Sequence, residues 1–250
     1  MRGLTAPASD LLSLAISAAG GAERWEAARE AEFTMRSGGR AFEMRLKPRA
    51  LRDVTGTVTI AEPRTVYSPY PMAGQRGVFE PDRVRIETDA GEVIAERQAP
   101  REAFGGTSGL RRNLWWDHLD LLYFAGYALW NYASFPFMLT RPGFELSEGE
   151  PLQSGGEAWR RLDVRLPPGF PTHSPEQSFF LDGDGLLRRH DYTAEPFGGW
   201  AKAVHLCGEH RSFDGLVVPT RRRVHPRLPN GSPLRPLTLV WIDVAGVKLR

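Results

Sequence analysis

One segment constrains this chain more than any other: WWDHLDLLYFAGYALWNY, residues 115–132. On a helix, Trp116, Asp120, Tyr123, Tyr127 and Trp130 share one face by four-and-three spacing, and His118, Leu122, Ala125, Leu129 and Tyr132 share another. A helix that is apolar nearly all round has to be buried on both sides. Gly126 offers a place where a strand or a ligand can come close, because it has no side chain. Pro136 ends the pattern. The nearly uncharged stretch from Leu121 to Thr140 is long enough to span a bilayer. Its aromatics run along its whole length, and Asn131 and Pro136 interrupt it, so a core helix without stable membrane insertion is expected.

The rest of the chain supplies strands to bury that helix. Residues 9–18 read as an amphipathic helix capped by Ser9 and ended by Gly20-Gly21, followed by a short helical piece at 23–27. Period-two alternation at 32–36 and 41–46 around Ser37-Gly38-Gly39 signals a hairpin. Strands are expected at 52–60, 64–70, 82–88 and 92–98, then at 144–150, 158–166, 177–182, 186–194, 201–211, 216–225 and 237–249. Turn residues such as Asp182-Gly183-Asp184-Gly185, Asp214-Gly215 and Asn230-Gly231 separate the later ones. No βαβ rhythm is present. The expected fold is mainly β with helices (α+β): a curved antiparallel sheet or open β-barrel, with an N-terminal helix and the aromatic helix across its concave face. A single domain over 1–250 is expected: helices at 1–28, a first strand group at 29–98, the inserted helix at 114–134 and a second strand group at 144–250. Residues 99–113 read as a Gly- and Arg-rich loop.

Charge and cysteine content narrow the function classes. The net charge is +2 and arginine alternates with glutamate, as in Arg83, Arg85 and Glu87, so no basic face for nucleic acid is expected. Strand alternation would split the one dense run, Arg221-Arg222-Arg223, across two faces. Cys207 is the single cysteine, which excludes an intrachain disulfide and fits a reducing compartment. Leu11 to Ile16 faintly mimics a signal peptide, but Asp10 stands where such peptides carry positive charge, so a cytoplasmic location is expected.

A leading helix, then Ala18-Ala19-Gly20-Gly21-Ala22-Glu23-Arg24-Trp25, then a run of antiparallel strands resembles the LolA/LolB-like superfamily of bacterial lipoprotein carriers. That resemblance implies an open β-barrel lidded by helices, with room for acyl chains inside. The segments WWDHLDLLYFAGYALWNY, THSPEQSFFLDGDGLLRRHDYTAEPFGG and FDGLVVPTRRRVHP are similar to a group of bacterial proteins of this size with no established activity. The likeness implies no catalytic roles.

Three constellations could carry chemistry. Asp117, His118 and Asp120 open the aromatic helix; they are candidates for acid–base work, or Asp117 may be read as its cap. On a strand, Arg188, His190 and Tyr192 share a face, where they would line the cavity or lie in solvent. Thr172-His173-Ser174-Pro175-Glu176-Gln177 forms a loop at the rim, or a turn with an exposed histidine; no Gly-x-Ser-x-Gly elbow surrounds Ser174. His205 and His210 are five apart, which on a strand points them to opposite faces. No metal motif and no phosphate-binding glycine loop is present, so neither a metal nor a nucleotide cofactor is implied.

The expected partner is a lipophilic small molecule, acyl, terpenoid or polyketide-like, held in the concavity. Trp116, Tyr123, Tyr127 and Trp130 would form the wall, and Arg188 or His190 would anchor a polar head. Burying ~300 Å² of such a ligand at about 25 cal/mol per Å² contributes roughly 7 kcal/mol before ordering costs. The alternative is a cofactor-independent enzyme of cyclase or isomerase type, using His118, Asp120, His190 or Tyr192 for proton transfer. A barrel filled by its own helix is the third expectation.

Overall fold

The computed structural model describes residues 6–49, 51–105, 112 and 114–250. Helix α1 (Ala6–Ala18) buries Ala8, Leu11, Leu12 and Ala15, the stripe that helical spacing demands, and packs on β7 and β8. It begins ahead of Ser9, whose carbonyl accepts from the Ser13 hydroxyl. Helix α2 (Ala22–Ala27) stacks Trp25 on Phe137 at 5.1 Å.

Thirteen strands form one antiparallel sheet. They are β1 (Glu30–Gly38), β2 (Val54–Thr59), β3 (Arg64–Ser68), β4 (Gln75–Glu80), β5 (Arg83–Thr88), β6 (Val93–Gln98), β7 (Glu145–Ser154), β8 (Glu157–Arg165), β9 (Glu176–Leu181), β10 (Leu187–Thr193), β11 (Lys202–Phe213), β12 (Leu216–Pro226) and β13 (Val240–Leu249). The spatial order is β6-β5-β4-β3-β2-β1-β13-β12-β11-β10-β9-β8-β7. Two meanders therefore run outward from a central β1–β13 pair, with Ala31 opposite Leu249 and Gly38 opposite Trp241. Edges β6 and β7 do not pair, so the barrel is open. Register shifts at Thr34/Met35, Ile86/Glu87, Leu187/Arg189 and Gly149/Leu152 add the local twist that bends a sheet. The chain leaves one edge at β6, and helix α4 (His118–Ser134) fills the concave face before the other edge begins at β7.

Three local expectations differ from the structure. Residues 41–46 are not a strand: α3 (Arg40–Glu43) buries the neighbours Ala41 and Phe42 and leaves Met44 and Leu46 exposed. Strand parity would have placed 42, 44 and 46 on one face. Gly39, at φ 128°, makes this turn where any side chain would run into the Leu239 carbonyl. Strand β4 carries no sequence signal because, of its inward positions, Phe79 is apolar but Gly77 has no side chain. A Cβ there would meet Tyr70 and Leu122 at 2.6 and 2.7 Å, so those side chains supply the missing apolar surface. The 99–113 segment contains a helical turn at Glu102–Phe104; its residues 106–111 and 113 lie outside the described residues. No helix among the described residues is long and apolar enough to cross a membrane.

Candidate functional site

The start of α4 is held by charge. Asp117 caps the helix by accepting from the Asp120 N–H, and Asp120 returns the bond by accepting from the Asp117 N–H, a reciprocal capping box. Asp120 is 1% exposed and takes Arg97 at 2.6 Å and Arg112 at 2.7 Å. Burial, the largest single effect, would raise the Asp117 carboxyl, but the Arg97 hydrogen bond, the Asp120 N–H and the charges of Arg97 and Arg112 together outweigh it and hold the group below its usual range. Both carboxylates are thus engaged in anchoring the helix. His118 sits beside them with its ring edge-on to Tyr70, and burial lowers its pKa. Trp116 is enclosed by Phe42, Phe104, Phe124 and Phe197.

Along β2–β5 the helix is dry and close. A Cβ on Gly126 would lie 2.3 Å from Cβ of Phe79, and one on Gly56 would lie 2.4 Å from Leu129. The close approach expected of Gly126 is made by a strand residue. Thr65 and Tyr67 donate to the Gly126 and Ala125 carbonyls, each at 2.9 Å. Tyr123 packs on Phe79 and Phe104, and Trp130 donates to the Thr59 carbonyl and lies beside Phe170. The four aromatics expected to wall a ligand cavity are core side chains.

The opposite side of α4 faces a buried polar cluster. His173 bridges two tyrosines, with Nδ1 3.0 Å from the Tyr127 hydroxyl and Nε2 2.7 Å from the Tyr132 hydroxyl. Tyr132 in turn lies 3.3 Å from the Tyr192 hydroxyl, and Tyr192 stacks on His173 at 4.1 Å. His190 bonds to Gln177 at 2.6 Å, and the His205 ring packs on Tyr132 at 4.7 Å. His173 is only 1% exposed; it belongs to this interior, whereas the sequence allowed an exposed turn. Burial lowers its pKa to about 3, with Arg101 adding to the effect. Burial likewise holds His190 and His205 well below the usual range, and pushes the Tyr127 and Tyr192 phenols well above theirs. These groups are neutral near pH 7, so they can accept, donate or relay a proton without carrying charge.

The structure brings His190 and Tyr192 together, at 4.7 Å between ring centroids. It leaves His118 and Asp120 at the helix start. Arg188 is also separated: the register shift between Leu187 and Arg189 gives the inward place to Leu187, and Arg188 pairs with Asp182 at 2.6 Å. The guanidinium that does enter the cluster is Arg222. Its neighbours Arg221 and Arg223 turn away to Glu209 and Asp243, the alternation expected of that run. Sequence reasoning left Tyr132, His205 and Arg222 out of the site and had Gln177 only in the rim loop, although parity between Arg221 and Arg223 was a usable signal for Arg222. Strand β11 keeps one register along β12, with His205 opposite Val224 and His210 opposite Pro219, and Glu209 between them has φ 53°. No group of metal-ligating side chains occurs among the described residues.

Two small cavities flank Tyr132. One, of about 30 Å³, is lined by apolar residues including Met35, Phe42, Leu51, Ala128, Val240 and Ile242, with Tyr132 and Tyr192 at its polar end. The other, of about 10 Å³, touches Asn131, Gln177, His190 and Arg222. Each has room for about one or two waters. A cleft of about 700 Å³ has Gln177 and Tyr192 in its lining, and one of about 670 Å³ has Tyr123 and Thr172; the pairs Arg161–Asp163, Arg165–Glu176, Arg227–Asp191 and Arg101–Glu195 stand along their walls.

Comparison with solved structures shows that this open β-barrel has the fold of LolA-like proteins. A DUF1329 family protein from Desulfovibrio piger superposes with a TM-score of 0.54 at 13% identity, covering 98% of this chain and 94% of that one. A LolA superfamily protein from Nitrosomonas europaea gives 0.52 at 11% identity, with 97% and 93% coverage. A domain from Vibrio parahaemolyticus proposed for outer-membrane lipoprotein sorting gives 0.55 at 8% identity, with 98% and 92% coverage. No family model matches the sequence, and no curated protein does.

Proposed function

We propose that this protein binds a lipophilic small molecule in its concavity, along the seam where α4 meets β1, β12 and β13. The observation that carries this reading is the cavity of about 30 Å³, walled by Met35, Leu51, Ala128, Leu129, Val240 and Ile242 and lined also by Tyr67, Tyr132 and Tyr192. An apolar cavity with a few placed polar groups is how small-molecule sites are built. The helix packs chiefly on β2–β6, so this seam is its weaker side. The β1–β2 connection covers the seam with Phe42 and Leu51 and exposes Met44 and Leu46. A ligand enters by displacing that cover, because the closed cavity is too small for it. The lipoprotein-sorting domain that shares the fold supports a lipophilic cargo.

Native mass spectrometry of freshly purified protein, with solvent extraction, tests this reading. A stoichiometric lipophilic adduct is expected. The variant Ala128→Leu, which fills the seam, should take up an added lipophilic fluorophore about tenfold more weakly while keeping its melting temperature. A clean apo mass together with unchanged uptake by Ala128→Leu would assign the barrel a purely structural interior.

A second reading rests on the meeting of His173, His190, Tyr132 and Tyr192 beside the cavities. The protein would then be a cofactor-independent enzyme of isomerase or cyclase type, with His190 and Tyr192 moving or holding a proton on the bound molecule. His118 and Asp120 lie at the helix start and take no part. Loss of turnover of the extracted adduct in His190→Ala or Tyr192→Phe supports it, and unchanged turnover in both removes it.

A further inference from the structure

Buried arginines in this protein come with compensation, and Arg222 is the exception. Arg189 binds Asp191 through two bonds of 2.6 Å, and Arg112 binds Asp120. Arg45 has no carboxylate but donates to the Arg112 and Ala41 carbonyls and lies over Trp116 and Phe197. Arg222 is 6% exposed. Its contacts are the Cys207 sulfur at 3.4 Å, the Tyr132 carbonyl at 3.4 Å and the Tyr132 ring at 5.0 Å. A thiol is a weak acceptor, and a guanidinium carries five donors. No carboxylate pairs with Arg222 among the described residues. Beside it His205 is fully buried, and neither of its ring nitrogens has a partner. A buried cation and an unpaired N–H group are each costly to leave unmatched.

Resting on the binding reading above, we infer that Arg222, with His205 beside it, anchors the carboxylate of a lipophilic acid whose tail lies in the apolar seam. A carboxylate matches the guanidinium fork with two parallel bonds and can take a third from the imidazole. Tyr132 lines both cavities, so moving its ring joins the Arg222 side to the apolar side. The ligand class is thereby an anionic amphiphile with a single acid group at one end. A neutral lipid would leave Arg222 unmatched, and a small inorganic anion would leave the seam empty.

The test compares decanoate with decan-1-ol at pH 8, by calorimetric titration of the full chain. The wild type should bind the acid at least about tenfold more tightly than the alcohol, the scale of a charge-assisted bond. Arg222→Met should lower acid binding to the level of the alcohol and leave alcohol binding unchanged. Its ligand-free melting temperature should not fall, since the removed charge has no ionic partner. Equal wild-type affinities for acid and alcohol would overturn the anchor and leave lipophilic binding standing. Absence of binding by both compounds would overturn the two readings together. Should Arg222→Met fail to fold, Arg222 is structural unless the wild type still prefers the acid.

Discussion

Against β2–β5, helix α4 is met by glycine notches and two side-chain hydroxyls; against β9–β12 it is met by imidazoles, phenols and a guanidinium. On the first side Gly126, Gly56 and Gly77 let the backbones close until side chains interlock, and Thr65 and Tyr67 bond to helix carbonyls. On the second side Tyr127 and Tyr132 reach out to His173, and His205 and Arg222 lack full partners. One side is built for a unique packed geometry, the other keeps polar capacity in a dry space. Natural interiors rarely leave buried polar groups unpaired without a reason. The contrast puts the buried groups without full partners on the β9–β12 side and the closest packing on the β2–β5 side.

Four changes break or sharpen that contrast. The largest effect is expected from Asp120→Ala, which strips Arg97 and Arg112 of a shared buried carboxylate. It should cost about 4 kcal/mol in denaturant unfolding. Next is Gly126→Ala on the packed side. Its gain in helix propensity of about 1 kcal/mol is outweighed by overpacking against Phe79 of about 3 kcal/mol, for a net loss of about 2 kcal/mol. A gain in stability would mean that the helix and β4 are not in contact as described.

Acid acts on the polar side. His173, His190 and His205 have folded pKa values depressed by burial, so the unfolded chain binds protons that the folded chain refuses. Stability is therefore complete above the unfolded value near 6.5 and falls as pH drops below it, continuing for His173 to about 3. Each such histidine contributes a slope of about 1.4 kcal/mol per pH unit, and His205→Leu should remove one share of it. Burial opposes ionisation of Glu80 and Glu87, but the hydrogen bonds and charges of Arg85 with Arg83 and of Arg85 with Arg76 together outweigh it and keep both low, so titration above pH 5 reports the histidines. The smallest effect is expected from Tyr192→Phe, which removes one long contact to Tyr132 and should cost about 0.5 kcal/mol in thermal melts.

Legibility differed between the two sides in a way that follows from their construction. The aromatic helix and the second strand group could be read because periodicity reports burial directly, and the seven strands from β7 to β13 fall where alternation and turn residues place them. Strand β4 could not, because one of its inward residues, two before Phe79, is a glycine whose role is played by Tyr70 and Leu122 from elsewhere. The candidate site was visible in Tyr127, His190 and Tyr192, and His173 and Gln177 only as members of a loop at the rim. His173 sits in a loop with no periodicity, and Arg188 was favoured over Arg222 because parity counting ignores the bulge at Leu187.

By itself the sequence determined a curved antiparallel sheet around an apolar helix, since such a helix has no stable place in water and alternating strands supply the one surface that can bury it. Only the tertiary structure decided that the first and last strands join the two meanders. Tertiary packing also closed the helix on β2–β5 and gathered His173, His190, Tyr192, His205 and Arg222 on its other side. Those outcomes depend on contacts between residues far apart in the chain and on single-residue register shifts, which local spacing does not record.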